Sequence, residues 1–61
     1  MSAVDTFESF TASLSGKNKE SLKDYIRLQR ADLLAARSED ARNRIVESYI
    51  GAVHDILHET K

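Results

Sequence analysis

The sequence predicts an all-α fold, a short N-terminal helix followed by a helical hairpin, and two observations support this prediction. Among its 61 residues there is no proline, and Gly16 and Gly51 are the only glycines, so the residue types that most often interrupt helices are scarce. Apolar residues also recur at steps of three and four positions, the spacing of one helical face. A chain of this length makes at most one domain, so we expect residues 1–61 to form a single small helical domain.

The first predicted helix spans about residues 3–15. Ser2 is placed to cap it, and Asp5 lies in its first turn, where a negative charge suits the helix dipole. Gly16 stands where a left-handed residue would end it. A helix this short is marginal in water, so we expect its apolar side to dock on the rest of the chain. That side consists of Val4, Phe7, Phe10, Thr11 and Leu14.

Two longer helices are predicted over about residues 19–37 and 39–59, with Ser38 placed to cap the second of them. The first carries one apolar stripe at helical spacing, which consists of Leu22, Tyr25, Ile26, Gln29, Leu33 and Ala36. The second carries a larger apolar set, which consists of Ile45, Val46, Tyr49, Ile50, Ala52, Val53, Ile56 and Leu57. Each segment therefore has a face to bury.

The connection between these two helices distinguishes a hairpin from a single rod. No breaker in residues 35–41 forbids one continuous helix over residues 19–59, which is the alternative. In such a helix the two apolar stripes would point about 140° apart at roughly 100° per residue. A hairpin instead turns the stripes towards each other. We therefore predict the hairpin.

The apolar set of the last helix covers about half of the helix circumference, which is wider than one neighbouring helix needs. Its second partner is either the N-terminal helix, which gives an intramolecular three-helix core, or another copy of the chain. Without cysteine, a small core has no disulfide to reinforce it, so we expect self-association into an oligomeric helical bundle, most simply a two-fold dimer. Large apolar side chains supply most interface energy, and the candidate interface residues are Phe7, Phe10, Tyr49, Ile50, Val53 and Leu57.

Catalytic chemistry has little support in the sequence. His54 and His58 lie four residues apart on one helical face, a spacing that can hold zinc, with Asp55 where metalloproteases have their glutamate base. The acid is one carbon shorter than glutamate, and no third ligand is evident. Neither a cysteine nor a Gly-x-Ser-x-Gly nucleophile motif is present. We expect a protein that is not an enzyme, with no catalytic residues, no metal and no cofactor.

Basic residues form a flank of the second predicted helix, away from its apolar stripe, and consist of Lys23, Arg27, Arg30 and Arg37, with Lys19 beside them. Such a flank can orient an acidic protein partner, follow a phosphate backbone or hold a small phosphorylated ligand. The alternative is a solvated face with local ion pairs such as Asp24 with Arg27 or Asp40 with Arg44. No glycine-rich phosphate loop is present.

These observations together predict a small protein-binding adaptor, inhibitor or regulator that acts through a helical hydrophobic surface as a homo-oligomer. A regulator that binds nucleic acid through the basic flank and an oligomeric binder of a small phosphorylated ligand are the alternatives. The net charge of −1 favours neither nucleic acid nor an anionic membrane. No apolar run approaches the ~18 residues of a membrane span, and the N-terminal segment carries acids, so we expect a cytoplasmic protein without a membrane partner.

Overall fold

A computed structural model describes residues 2–59, and these form four helices. The helices are α1 (Ala3–Ala12), α2 (Gly16–Ser21), α3 (Lys23–Ala35) and α4 (Glu39–Glu59). Because the described residues contain no strand, the predicted all-α class is confirmed. The second predicted helix, over about residues 19–37, is divided at Leu22, which leaves helical geometry with φ −102° and ψ 11°. Its first part, α2, begins three residues earlier than predicted, and α1 ends at Ala12 instead of about residue 15.

Serine side chains cap the N-termini of three of the helices. The N–H of Asp5 donates to Ser2 Oγ at 3.1 Å, and the N–H of Ala41 donates to Ser38 Oγ at the same distance, so both predicted caps form. Ser15 caps α2 in the same way. Gly16 is therefore the first residue of α2 and has no positive φ, so its predicted role as a left-handed helix end is wrong.

α3 and α4 pack as an antiparallel pair joined by residues 36–38. At the closed end, Arg42 Nη1 donates to the carbonyl oxygen of Ala36 at 2.9 Å. Further along both helices, the rings of Tyr25 and Tyr49 stack with their centroids 5.9 Å apart. The chain therefore turns back after α3 instead of continuing as one long helix.

α1 lies along α4 in the same direction. Near the start of both helices, the N–H of Ala3 donates to Glu39 Oε2 at 3.0 Å, and further along Thr11 Oγ1 lies 2.8 Å from the hydroxyl of Tyr49. α4 is thus covered on one side by α3 and on another by α1. The second apolar partner of the wide arc of α4 is therefore α1 of the same chain.

Tyr49 stands at the centre of the core. It is fully buried, and its ring lies 4.5 Å from that of Phe7 and 5.6 Å from that of Phe10 between centroids. The apolar core residues are Ala3, Phe7, Leu22, Ile26, Leu33, Val46, Tyr49 and Val53. Since these come from α1, α3, α4 and the α2–α3 junction, each of these elements depends on the others for burial.

Candidate functional site

A groove runs along the surface between α1 and α4. It consists of two adjoining concavities of about 310 and 340 Å³ that share Ile50 as a lining residue. The first begins beside Ala3 and Asn43, and the second ends beside Leu14 and His58. We call this feature the α1–α4 groove. One wall of the groove is α4, and the other is α1 together with Leu14, which follows it.

The predicted interface residues divide into two groups. Phe7, Tyr49 and Val53 have no exposed surface, and they pack inside the core of their own chain. In this fold they are not accessible to a partner. The other three are partly exposed and line the α1–α4 groove, namely Phe10, Ile50 and Leu57.

Gly51 lies in the wall of the groove, in the middle of α4. A glycine inside a helix costs about 1 kcal/mol relative to alanine. A Cβ atom built on Gly51 would meet no other part of the described chain within 4 Å, so intramolecular packing does not require the glycine. The missing side chain leaves room on the outer surface of the molecule.

An exposed seam follows α4 beside the groove and contains Glu47, Gly51, His54 and His58. The rings of His54 and His58 stack with their centroids 4.0 Å apart, and His54 Nδ1 lies 4.0 Å from a carboxylate oxygen of Asp55. Among the described residues, no group of three or more His, Asp or Glu side chains is placed to hold a metal ion. His54 and His58 both line the second concavity, so they give the groove wall a polar end.

Sequence reasoning gave no role to the outer face of α3. Leu28 and Leu34 are 63 % and 67 % exposed, the largest exposures among the big apolar side chains described. The signal was present in the sequence, because Leu28, Ala31 and Ala35 recur at helical spacing away from the buried stripe. Leu28 and Leu34 are six residues apart and point about 120° apart at roughly 100° per residue, with the exposed Arg27 between them, so they are two separate exposed side chains.

A basic concavity of about 350 Å³ lies where α1, α2 and α3 meet. It collects three of the four residues of the predicted basic flank and adds Lys19, whereas Arg37 lies in the connection between α3 and α4. The residues that line it are Thr11, Lys19, Lys23, Ile26, Arg27 and Arg30. The fold therefore concentrates positive charge around one depression.

Arg30 is held in this concavity by an ion pair with α1. Its Nε and Nη2 donate to the two carboxylate oxygens of Glu8, both at 2.9 Å, and its Cζ lies 5.4 Å from the centroid of the Phe7 ring. The hydrogen bonds from Arg30 lower the pKa of Glu8. Because both side chains are almost half exposed, the pair contributes only about 0–1 kcal/mol.

Glu39 makes a similar connection between the first turns of α1 and α4. Its Oε2 accepts the N–H of Ala3, and its Oε1 accepts from Arg42 Nε, both at 3.0 Å. The N–H of Ala3 lowers the pKa of Glu39 most, and Arg42 adds to the effect. The two predicted alternatives, Asp24–Arg27 and Asp40–Arg44, are not among the ion pairs of residues 2–59.

We expect acid to weaken the fold through Glu8 and Glu39. A carboxyl group whose pKa is lowered by folding stabilises the native state above its unfolded pKa, and this stabilisation is lost as pH falls through the folded value. Thermal melts between neutral pH and pH ~3 should therefore show a melting temperature that falls less steeply in the Glu8→Gln/Glu39→Gln variant. Glu20→Gln, which removes an exposed carboxylate outside these contacts, is the control and should keep the wild-type slope. An unchanged slope in the double variant would contradict the assignment.

Comparison with protein families, curated proteins and solved structures gave no match. Within the described residues, no helix combines the length and the apolar character that crossing a lipid bilayer needs.

Proposed function

We propose that this chain is a non-enzymatic protein-binding module, an adaptor, inhibitor or regulator, which docks a second copy of itself along the α1–α4 groove. The observation that supports this proposal best is Gly51, an exposed glycine in the middle of a helix and beside an apolar groove. Such a glycine lowers helix propensity but lets another backbone approach closely. Apart from the neighbouring backbone of its own helix, nothing in the described chain lies within 4 Å of a Cβ atom built on Gly51.

The apolar residues of the groove supply the energy for docking. Phe10, Leu14, Ile50 and Leu57 are all partly exposed, although they also pack against the core. Covering the rest of their surface would contribute about 25 cal/mol per Å² of apolar area before the cost of association is subtracted. Since their positions are fixed by the core, little conformational freedom is lost on binding.

The seam of α4 favours a second copy over an unrelated helix, because it is complementary to itself. When two α4 helices pair antiparallel about a two-fold axis between residues 51 and 54, Gly51 faces His54 of the other copy. In the same register, Glu47 faces His58, so a carboxylate lies opposite an imidazole N–H donor at each end of the contact. A two-fold contact uses one patch twice, so this match occurs at both ends. α4 has 21 residues and is about 30 Å long, which accommodates such a crossing at its middle.

A regulator also needs a surface for its target. Leu28 and Leu34 are large, exposed apolar side chains that lie outside the α1–α4 groove. Each is a candidate anchor for that target, since exposed large apolar side chains supply interface energy.

The mass in solution tests the proposal. Light scattering after size exclusion, over a tenfold range of concentration, should show a rise towards twice 6.9 kDa. Gly51→Gln introduces a bulky but helix-compatible side chain into the contact, so we expect it to keep the chain at 6.9 kDa throughout. Gly16→Gln is the matched control, because Gly16 is also exposed and without neighbours but lies outside the groove.

Two results would contradict the proposal that a second copy of the chain occupies the α1–α4 groove. A wild-type chain that stays at 6.9 kDa at every concentration would leave the groove to a different protein. A Gly51→Gln variant that still dimerises would place the contact on another face. The proposal requires that Gly16→Gln dimerises like the wild type.

Gly51→Ala separates stability from association. Alanine improves helix propensity and meets no other atom, so the unfolding free energy of the monomer should rise by about 0.5–1 kcal/mol. Urea denaturation at a concentration below the dimerisation midpoint measures it. A loss of stability would mean that the space above Gly51 is occupied within the chain.

A further inference from the structure

We propose that the basic concavity is a binding site for the polyphosphate group of a small phosphorylated molecule. Four cationic side chains from α2 and α3 line one depression of about 350 Å³, a volume within the range of small-ligand sites. This site is separate from the α1–α4 groove, and neither proposal depends on the other.

The cations of the concavity are available to an anion. Lys19, Lys23 and Arg27 make no ion pair with any acid in the described part of the chain. Like charges gathered on one wall repel each other, and a bound polyanion relieves this repulsion. Gathering these positive charges therefore costs free energy, and binding of a polyanion offsets that cost.

Arg30 adds a preorganised donor. Its ion pair with Glu8 occupies Nε–H and one hydrogen of Nη2, whereas a guanidinium has five N–H donors. Three donors, including both hydrogens of Nη1, remain unused by Glu8. The ion pair and the Phe7 ring fix the plane of the guanidinium, so a phosphate meets donors that are already oriented.

The rest of the concavity explains why phosphate, and not a neutral group, is the expected ligand. The hydroxyl of Thr11 is already used, because it donates to the carbonyl oxygen of Phe7 and contacts the hydroxyl of Tyr49. Ile26 has no polar group to offer. Recognition is left to lysine and arginine, which favour charged phosphate oxygens.

A small ligand fits better than a nucleic acid strand. The positive charges surround one depression and do not continue along the surface, since Arg37 lies outside the concavity. Glu20 and Asp24 are exposed on the same two helices and interrupt a longer basic track. A polyphosphate places several negative charges within one depression, whereas a strand needs a run of contacts.

Calorimetric titration with sodium tripolyphosphate, at constant ionic strength, tests the site. We expect one ligand per chain, and Lys23→Gln/Arg27→Gln should weaken binding by roughly tenfold or more, since it removes two charge-assisted contacts. The control Arg37→Gln/Arg44→Gln also removes two positive charges, both exposed and outside the concavity. It should weaken binding by less than about twofold, because distant exposed charges are screened by salt. Circular dichroism of both variants verifies that the helices are retained.

Three outcomes would overturn the proposal. Absence of binding at millimolar tripolyphosphate would show that the concavity is not a polyphosphate site. Equal weakening by both double variants would mean that net charge, and not this depression, attracts the anion. A single-stranded 12-nucleotide probe that bound while tripolyphosphate did not, with an affinity that falls steeply with salt, would assign the concavity to nucleic acid.

Discussion

Replacing Tyr49 by alanine is expected to remove a large part of the stability of the fold. Tyr49 is fully buried, and three other aromatic rings lie within 4.5–5.9 Å of its own. Removing a buried aromatic side chain costs about 3–5 kcal/mol, and a domain of this length has only about 3–9 kcal/mol of stability. Urea denaturation followed by circular dichroism at the helical band measures the loss.

Tyr25→Ala is the matched control for this experiment. Tyr25 stacks on Tyr49 but is only partly buried, so its removal should cost clearly less. If Tyr49→Ala unfolded at the same urea concentration as Tyr25→Ala, the central position of Tyr49 in the core would be wrong.

Much of the fold could be predicted from local signals. Apolar spacing located α1, α3 and α4, and serine caps marked two of their starts because a cap depends on residues within one turn. It did not predict α2 as a separate helix, because α2 contains no buried residue. The mismatch of the two stripes predicted the turn at residues 36–38, for which the local sequence offers no breaker. By contrast, the break at Leu22 was not predicted, because Leu22 belongs to the same apolar stripe as Ile26 and Leu33, although Ser21 and Asp24 have the spacing of a capping box.

The candidate sites could be predicted only in part, because they depend on which faces meet. The sequence identified the wide apolar arc of α4, but not that α1 would bury Tyr49 and Val53 while Ile50 and Leu57 stay at the surface. The residues of the basic flank could likewise be identified from the sequence. The ion pair of Arg30 with Glu8 joins residues 22 positions apart and follows from helix packing alone. The rotation of each helix about its own axis decides which side chains meet, and it is set by tertiary packing and not by local sequence.

Thr11→Val is expected to destabilise the fold by about 1–3 kcal/mol, although valine has nearly the same shape as threonine. The hydroxyl of Thr11 donates its one hydrogen to the carbonyl oxygen of Phe7 at 2.8 Å, so it must accept from the hydroxyl of Tyr49 at 2.8 Å. Valine removes this acceptor and leaves a buried donor without a partner. The urea midpoint of the variant measures the cost.

Tyr49→Phe in the Thr11→Val background should restore most of the lost stability. Replacing both partners of a buried hydrogen bond by apolar groups of the same shape can be nearly neutral, whereas removing one partner leaves the other desolvated and unpaired. Tyr49→Phe alone should cost less than Thr11→Val, because Thr11 keeps its bond to Phe7. A double variant whose loss equals the sum of the two single losses would mean that the hydroxyls do not interact. Since Thr11 lies on α1 and Tyr49 on α4, the coupling energy also measures how firmly these two helices are held together.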